Sequence, residues 1–134
     1  MANFLNILEK VHLLAEQILI SEEFLRYEAF KRKLQSDFFA NKLLLKFSKI
    51  KEEFLEAQRF GVFHPDFHSF KEKAYKCREE LLTNDLILQY FKAEEDLDNL
   101  LYEVSKILAA AISDDILVLG NKPLVRGCKC KNKR

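Results

Sequence analysis

Residues 84–112 read NDLILQYFKAEEDLDNLLYEVSKILAAAI, and their spacing decides the fold. Leu86, Tyr90, Ala93, Leu97, Leu100, Val104, Ile107 and Ala111 recur at alternating gaps of four and three. With 3.6 residues per turn, positions so spaced return to one side of an α-helix. Lys92, Glu95, Asp98, Asn99, Glu103 and Lys106 take the other side, which makes the segment amphipathic. Asn84 is placed to cap its start, and Asp85 sets negative charge at the positive end of the helix dipole. At about 1.5 Å per residue the helix spans ~40 Å. A stripe of that length has to be covered by the other helices of the chain or by a second copy.

The preceding sequence supplies those helices. Residues 3–20 carry Phe4, Ile7, Leu8, Val11, Leu14, Ala15, Ile18 and Leu19 on one face, with His12 close beside it. Ser21 followed by Glu22 and Glu23 is a helix start, a capping hydroxyl with two acids in the first turn. The short second helix, residues 22–34, has Phe24, Tyr27, Phe30 and Leu34 as its buried set. Ser36 or Asp37 caps a long third helix, whose seam is Leu43, Phe47, Ile50, Phe54 and Ala57, broadened by Leu44 and Leu55. Gly61 stands where a left-handed residue closes a helix, and Pro65 drives His64 out of helical angles. Asp66 is placed to cap the fourth helix, residues 67–82, with Phe67, Phe70, Ala74, Cys77 and Leu81 as its seam. The third and fourth helices thus form a hairpin along which the fifth returns.

Composition agrees. With 134 residues the chain is one domain with a real core, and three Gly with two Pro leave few places to turn. Residues 1–60 hold ten basic and nine acidic side chains, residues 61–112 six and ten, and residues 113–134 six and two. A basic tail therefore follows an acidic helical body, with Ile116, Leu117, Val118 and Leu119 as an apolar patch between them. No apolar run approaches the ~18 residues of a membrane span. With no such run, and no basic stretch followed by an apolar one at the N-terminus, the chain is expected to be cytoplasmic, and an odd number of cysteines, three, argues against a disulfide framework.

Cys128 and Cys130 are the most chemical-looking residues. Two thiols one residue apart can face one ion, and Arg126, Lys129 and Lys131 favour their thiolates. Two thiolates are half of a four-coordinate zinc or iron–sulfur site, so the rest has to come from elsewhere, and Cys77 on a buried seam is poorly placed to help. His64, Asp66 and His68 offer three donors in five residues, but Pro65 breaks the turn that would align them, and they read as loop residues. There is no Gly-rich loop, no H-E-x-x-H and no G-x-S-x-G, and no enzyme activity is expected. The adjacent rings Phe38-Phe39 and Tyr90-Phe91 point to neighbouring faces of their helices. One subunit hardly buries both of a pair, so these four residues are the expected interface.

Three pieces of the sequence resemble the YlbF/YmcA family of small cytoplasmic helical proteins from Firmicutes. They are Ile18 to Tyr27 with its Ser-Glu-Glu-Phe, then Leu34-Gln35-Ser36-Asp37 followed by Ala40, Leu43 and Phe47, and then Asn84 to Ile112, where Asp85 replaces a common Pro. The resemblance covers residues 4–112 and implies an all-α, antiparallel bundle of about five helices, built on a long helical hairpin and self-associating. It divides the chain into a helical domain, residues 1–112, and a basic cysteine-containing tail, residues 113–134. It further implies a non-enzymatic regulatory adaptor in competence, sporulation and biofilm control and in RNA processing with an endoribonuclease. Partners are further copies or related family members. Some members carry C-terminal cysteines that help hold iron–sulfur clusters, and Cys128 and Cys130 match that feature, implying a cluster shared between subunits. The alternatives are an RNA-associated protein using the basic tail, or a purely structural helical oligomer. The first lacks aromatic side chains beside the tail's charges, which single-stranded RNA binding normally uses.

Overall fold

A computed structural model describes residues 2–120. They form five helices: α1 (Ala2–Leu19), α2 (Glu22–Ser36), α3 (Phe38–Phe60), α4 (Phe67–Thr83) and α5 (Asp85–Ile112). A short 3-10 turn, Gly61–Phe63, joins α3 to α4. No strand occurs among the described residues.

Two of the breaks between helices are single capping residues. Asp37 is the C-cap of α2 and the N-cap of α3, with extended dihedrals and its carboxylate accepting from the Ala40 amide at 2.8 Å. Asn84 does the same between α4 and α5, its side-chain oxygen accepting from the Ile87 amide at 3.1 Å. Ser21 caps α2 by accepting from the Phe24 amide at 3.3 Å. Each side chain satisfies an amide that the first helical turn leaves without a partner. Asn41 adds a brace across the Asp37 break, its amide donating to the Leu34 and Gln35 carbonyls at 3.0 and 3.1 Å.

The result is two bent rods, α2–α3 and α4–α5, folded against each other as one long hairpin. α3 packs along α4 and α2 along α5. Lys46 meets Glu80 at 2.6 Å on one arm, and Arg26 meets Asp96 at 3.5 Å on the other. The two breaks therefore face each other, and the core lies between them: Leu34, Ala40, Leu81 and Ile87, with Leu43, Leu44, Phe47, Leu86, Tyr90 and Phe91 packed around. Ala57, Cys77 and Ala93 are buried farther out along the arms. Small residues at such points let helix backbones approach closely.

The seams expected on α2, α3 and α4 all face inward, Leu55 excepted, which is about half exposed. On α5 the seam is covered from Leu86 to Val104, but Ile107 is 68% exposed and Ala111 is exposed too. On α1 the apolar face lies largely open, with Phe4, Ile7 and Val11 all more than half exposed. α1 meets α2 at the Ser21 joint and lies along no other helix. One further expectation is corrected. Asp66 makes no side-chain cap: its φ of −100° and ψ of 7° depart from the extended dihedrals with which Asp37 and Asn84 cap, and its amide donates to His64 Nδ1 at 3.2 Å while its carbonyl accepts from Phe70 at 2.9 Å. The apolar patch after α5 extends no helix. It turns at Asp114-Asp115 and runs back until Gly120 lies against the Tyr102 ring.

Candidate interaction surfaces

Three exposed apolar regions stand apart on the molecule. The first comprises two open stretches that do not pack along each other, the apolar face of α1 and the distal part of α5, where Ile107, Leu108 and Ile112 are open. The second is the elbow, where Phe38 and Phe39, the first residues of α3, are 73% and 79% exposed with their rings edge-on at 5.9 Å. The third is the hairpin tip, where Phe60, Val62 and Phe63 are exposed around the 3-10 turn. Gly61 makes that turn possible: its φ of 69° and ψ of −159° fall where a side chain is strained.

Phe38 and Phe39 thus stand clear, as an interface pair must. Tyr90 and Phe91 are placed differently, both half-buried against the central core. Tyr90 leans on Tyr27 across the α2–α5 seam, with ring centroids 5.6 Å apart. Burial, and then the hydrogen bond with Tyr27, pushes the Tyr90 phenol well above its ordinary value. Beside this pair runs an open polar groove lined by Arg26, Phe30, Gln89, Lys92, Ala93 and Asp96. Arg26 spans it, held by Glu22 at 2.9 Å within α2 and by Asp96 across. The tyrosine pair and the arginine bridge were not singled out from the sequence, because each lies between positions on two helices whose pairing a single seam does not specify.

His64, Asp66 and His68 do not converge. The His64 ring lies 5.8 Å from Phe60 and 6.1 Å from Phe70, while His68 stands exposed against Phe67. Among the described residues no three of His, Cys, Asp and Glu gather as a metal site. Cys77 is 2% exposed inside α4's seam, and burial raises its thiol above the ordinary range, against an opposing pull from Lys46. Cys128, Cys130 and the basic residues of the tail lie outside the described residues. No helix among the described residues is long and apolar enough to cross a membrane.

Comparison with known proteins matches this arrangement. The family model described as "Control of competence regulator ComK, YlbF/YmcA" matches residues 7–113. The Regulatory protein YlbF of Bacillus subtilis is 36% identical over 114 residues, spanning 85% of this chain and 76% of that protein. A UPF0342 protein of Alkalihalophilus pseudofirmus is 25% identical over 109 residues, covering 81% of this chain and 91% of that one. Among solved structures, a chain of the crystal structure of Bacillus subtilis RicA in complex with RicF superposes with a TM-score of 0.71 at 35% identity. It covers 81% of this chain and 95% of that one.

Proposed function

Because the chain belongs to the YlbF/YmcA family of competence regulators, we propose that it is a non-enzymatic regulatory adaptor that joins a cytoplasmic multi-protein complex. The observation that carries this is the separation of its exposed apolar regions: α1 with distal α5, the elbow rings and the hairpin tip. Contiguous exposed apolar surface marks protein contacts, and a single partner docked at one end leaves the others open. A protein built this way works by holding several surfaces at once. Its similarity to a structure solved as a complex of two proteins, RicA with RicF, supports the same reading. The processes it serves in this proposal are competence, sporulation and biofilm development, and endoribonuclease-dependent RNA processing.

Affinity capture of the tagged chain from its host, with mass spectrometry, tests the adaptor role. Co-purifying proteins are expected, with at least one lost from a Phe38→Ala, Phe39→Ala variant that keeps full helicity. A chain that is captured alone refutes the proposal. Steeply salt-dependent RNA binding by the purified chain would instead favour the basic tail as the working part.

The proposal extends to Cys128 and Cys130 as ligands of an iron–sulfur cluster. Cys77 is sealed in the α4 seam, so the remaining thiolates come from a second subunit or a partner. The cluster then supplies a cross-link between chains, and the helical core does not depend on it. Complex prepared without oxygen should contain iron and sulfide and absorb visible light. A Cys128→Ser, Cys130→Ser variant should lose all three and keep its helicity. Full iron content in that variant would sink the assignment.

A further inference from the structure

We infer that the elbow of the hairpin binds single-stranded RNA along the outer face of α3. Charge that the whole chain nearly balances is concentrated here. Residues 31–51 hold seven basic side chains and one acidic, against 22 and 21 for the full sequence. The single acid, Asp37, is occupied inside the fold, its carboxylate accepting from the Ala40 amide. Acidic residues bound the stretch, Glu28 before it and Glu52 and Glu53 after it.

The helix decides which face carries this charge. Leu43, Phe47 and Ile50 turn the seam of α3 inward. Phe38, Lys42, Leu45 and Lys49, spaced four, three and four, therefore form one stripe away from that seam, and all four are exposed. Phe39 and Lys46 stand beside the stripe, exposed as well. Glu80 of α4 holds Lys46 at 2.6 Å, whereas among the described residues Lys42 and Lys49 make no ion pair. At ~1.5 Å per residue the stripe runs about 17 Å, with rings at one end and cations along the rest. Across the facing break, Glu79, Glu80 and Asp85 are exposed on the other rod, which keeps a polyanion on the α2–α3 side.

Phosphates are drawn to any such cluster of cations. The rings are what select a single strand. Bases in a duplex are stacked on one another, whereas those of a single strand stack on exposed aromatic side chains set beside basic ones. Phe38 and Phe39 lie edge-on, 77° apart in plane, so neither ring covers the other's face. The elbow thus pairs charge with rings, as the basic tail does not. Two rivals fit it less well. A helix lying on an anionic membrane carries its apolar side chains on one face and its cations on the other, but Lys42 stands between Phe38 and Leu45 in the same stripe. An acidic protein segment satisfies the lysines without stacking on the rings.

The single-stranded chemistry is read from the elbow itself, and the choice of RNA over DNA rests on the RNA processing in the function proposed above. The adaptor role fails on a chain captured alone from its host, and this inference fails on the purified chain, so the two failures are distinct. Fluorescence anisotropy of a labelled, unstructured oligoribonucleotide with the full chain tests it. Binding should weaken with salt, and Lys42→Gln with Lys49→Gln should make the double-logarithmic salt slope shallower by about 1.4. Phe38→Ala with Phe39→Ala should lower affinity at least about 10-fold at unchanged slope, as lost stacking does. All four positions are exposed, so helicity should stay the same in both variants. A chain whose six basic residues beyond Gly120 are replaced by Gln should show the same dependence on the elbow. A wild type that binds no RNA would overturn the inference. So would binding that is lost with the tail's charges and kept by both elbow variants, or a preference for double-stranded RNA or single-stranded DNA. Displacement of the RNA by polyglutamate or phosphatidylglycerol vesicles at equal charge would do the same.

Discussion

Replacing Ile87 probes the facing breaks directly. Its side chain is 0% exposed and sits with Leu34, Ala40 and Leu81 where the rods cross. Ile87→Ala deletes three carbons, a transfer loss of about 2.4 kcal/mol at ~0.8 kcal/mol each. The hole cannot collapse easily, because the capped residues at Asp37 and Asn84 fix the backbones on either side. A cavity contribution of about 1 kcal/mol brings the cost to about 3–4 kcal/mol, within the usual span for such truncations. At about 4 °C per kcal/mol for a chain of this size, the melting temperature should fall by about 12–16 °C. Ile87→Val should cost only about 1 kcal/mol. The neighbouring Leu88, 44% exposed, serves as control and should give a much smaller loss on Leu88→Ala. Urea unfolding at one fixed protein concentration measures all three, since association shifts apparent stability. If Ile87→Ala costs no more than Leu88→Ala at unchanged m-value, the core does not lie between the breaks.

Other expectations follow from the same geometry. Asp37→Ala and Asn84→Ala should each destabilise by about 1 kcal/mol in denaturant titration, and Asp37→Asn should recover most of its loss. Gly61→Ala should cost about 1–3 kcal/mol through its backbone alone, because no atom lies within 4 Å of where the new carbon would stand; Gly120→Ala makes the comparison at a position without positive φ. Cys77 and Tyr90 both hold their protons more tightly when folded than their ordinary values of 9.0 and 10.0. The unfolded chain therefore releases protons first as pH rises. Stability should be full below about pH 9 and decline above it, with the early part of the decline absent from Cys77→Ala. Breaking the Lys46–Glu80 pair, half exposed on both sides, should leave the urea midpoint where it was.

Much of this was legible in the sequence, for a plain reason. Periodicity identifies which face of a helix is apolar, and caps identify where a helix starts, so the seams of α2, α3 and α4 and the starts at Ser21, Asp37 and Asn84 were all readable. What covers a face is a tertiary fact. Ile107 and Ala111 continue the α5 stripe without a break in spacing, yet they stand open, because α2 ends its coverage near the Ser21 joint. The α1 face was legible as apolar and not as unpartnered for the same reason. Asp66 misled because residue type alone does not reveal backbone angles, and its φ of −100° and ψ of 7° are not those of the residues that cap α3 and α5. Among the expected interface residues, adjacency of rings distinguished nothing: Phe38 and Phe39 begin a helix at the elbow and point outward, whereas Tyr90 and Phe91 sit in the second turn of α5 beside the core.

The pairing of the two breaks also gives the molecule a mechanical character. No unbroken helix runs from the α3–α4 arm into the α2–α5 arm, so all bending stiffness between them passes through two extended residues and the few side chains clasped there. Hinges of this kind take up motion in the dihedrals of element-terminal residues. Because the helices are zipped in pairs on either side, bending at one break has to be matched by bending at the other. A partner gripping only the hairpin tip leaves that angle free. One that spans the elbow would hold it.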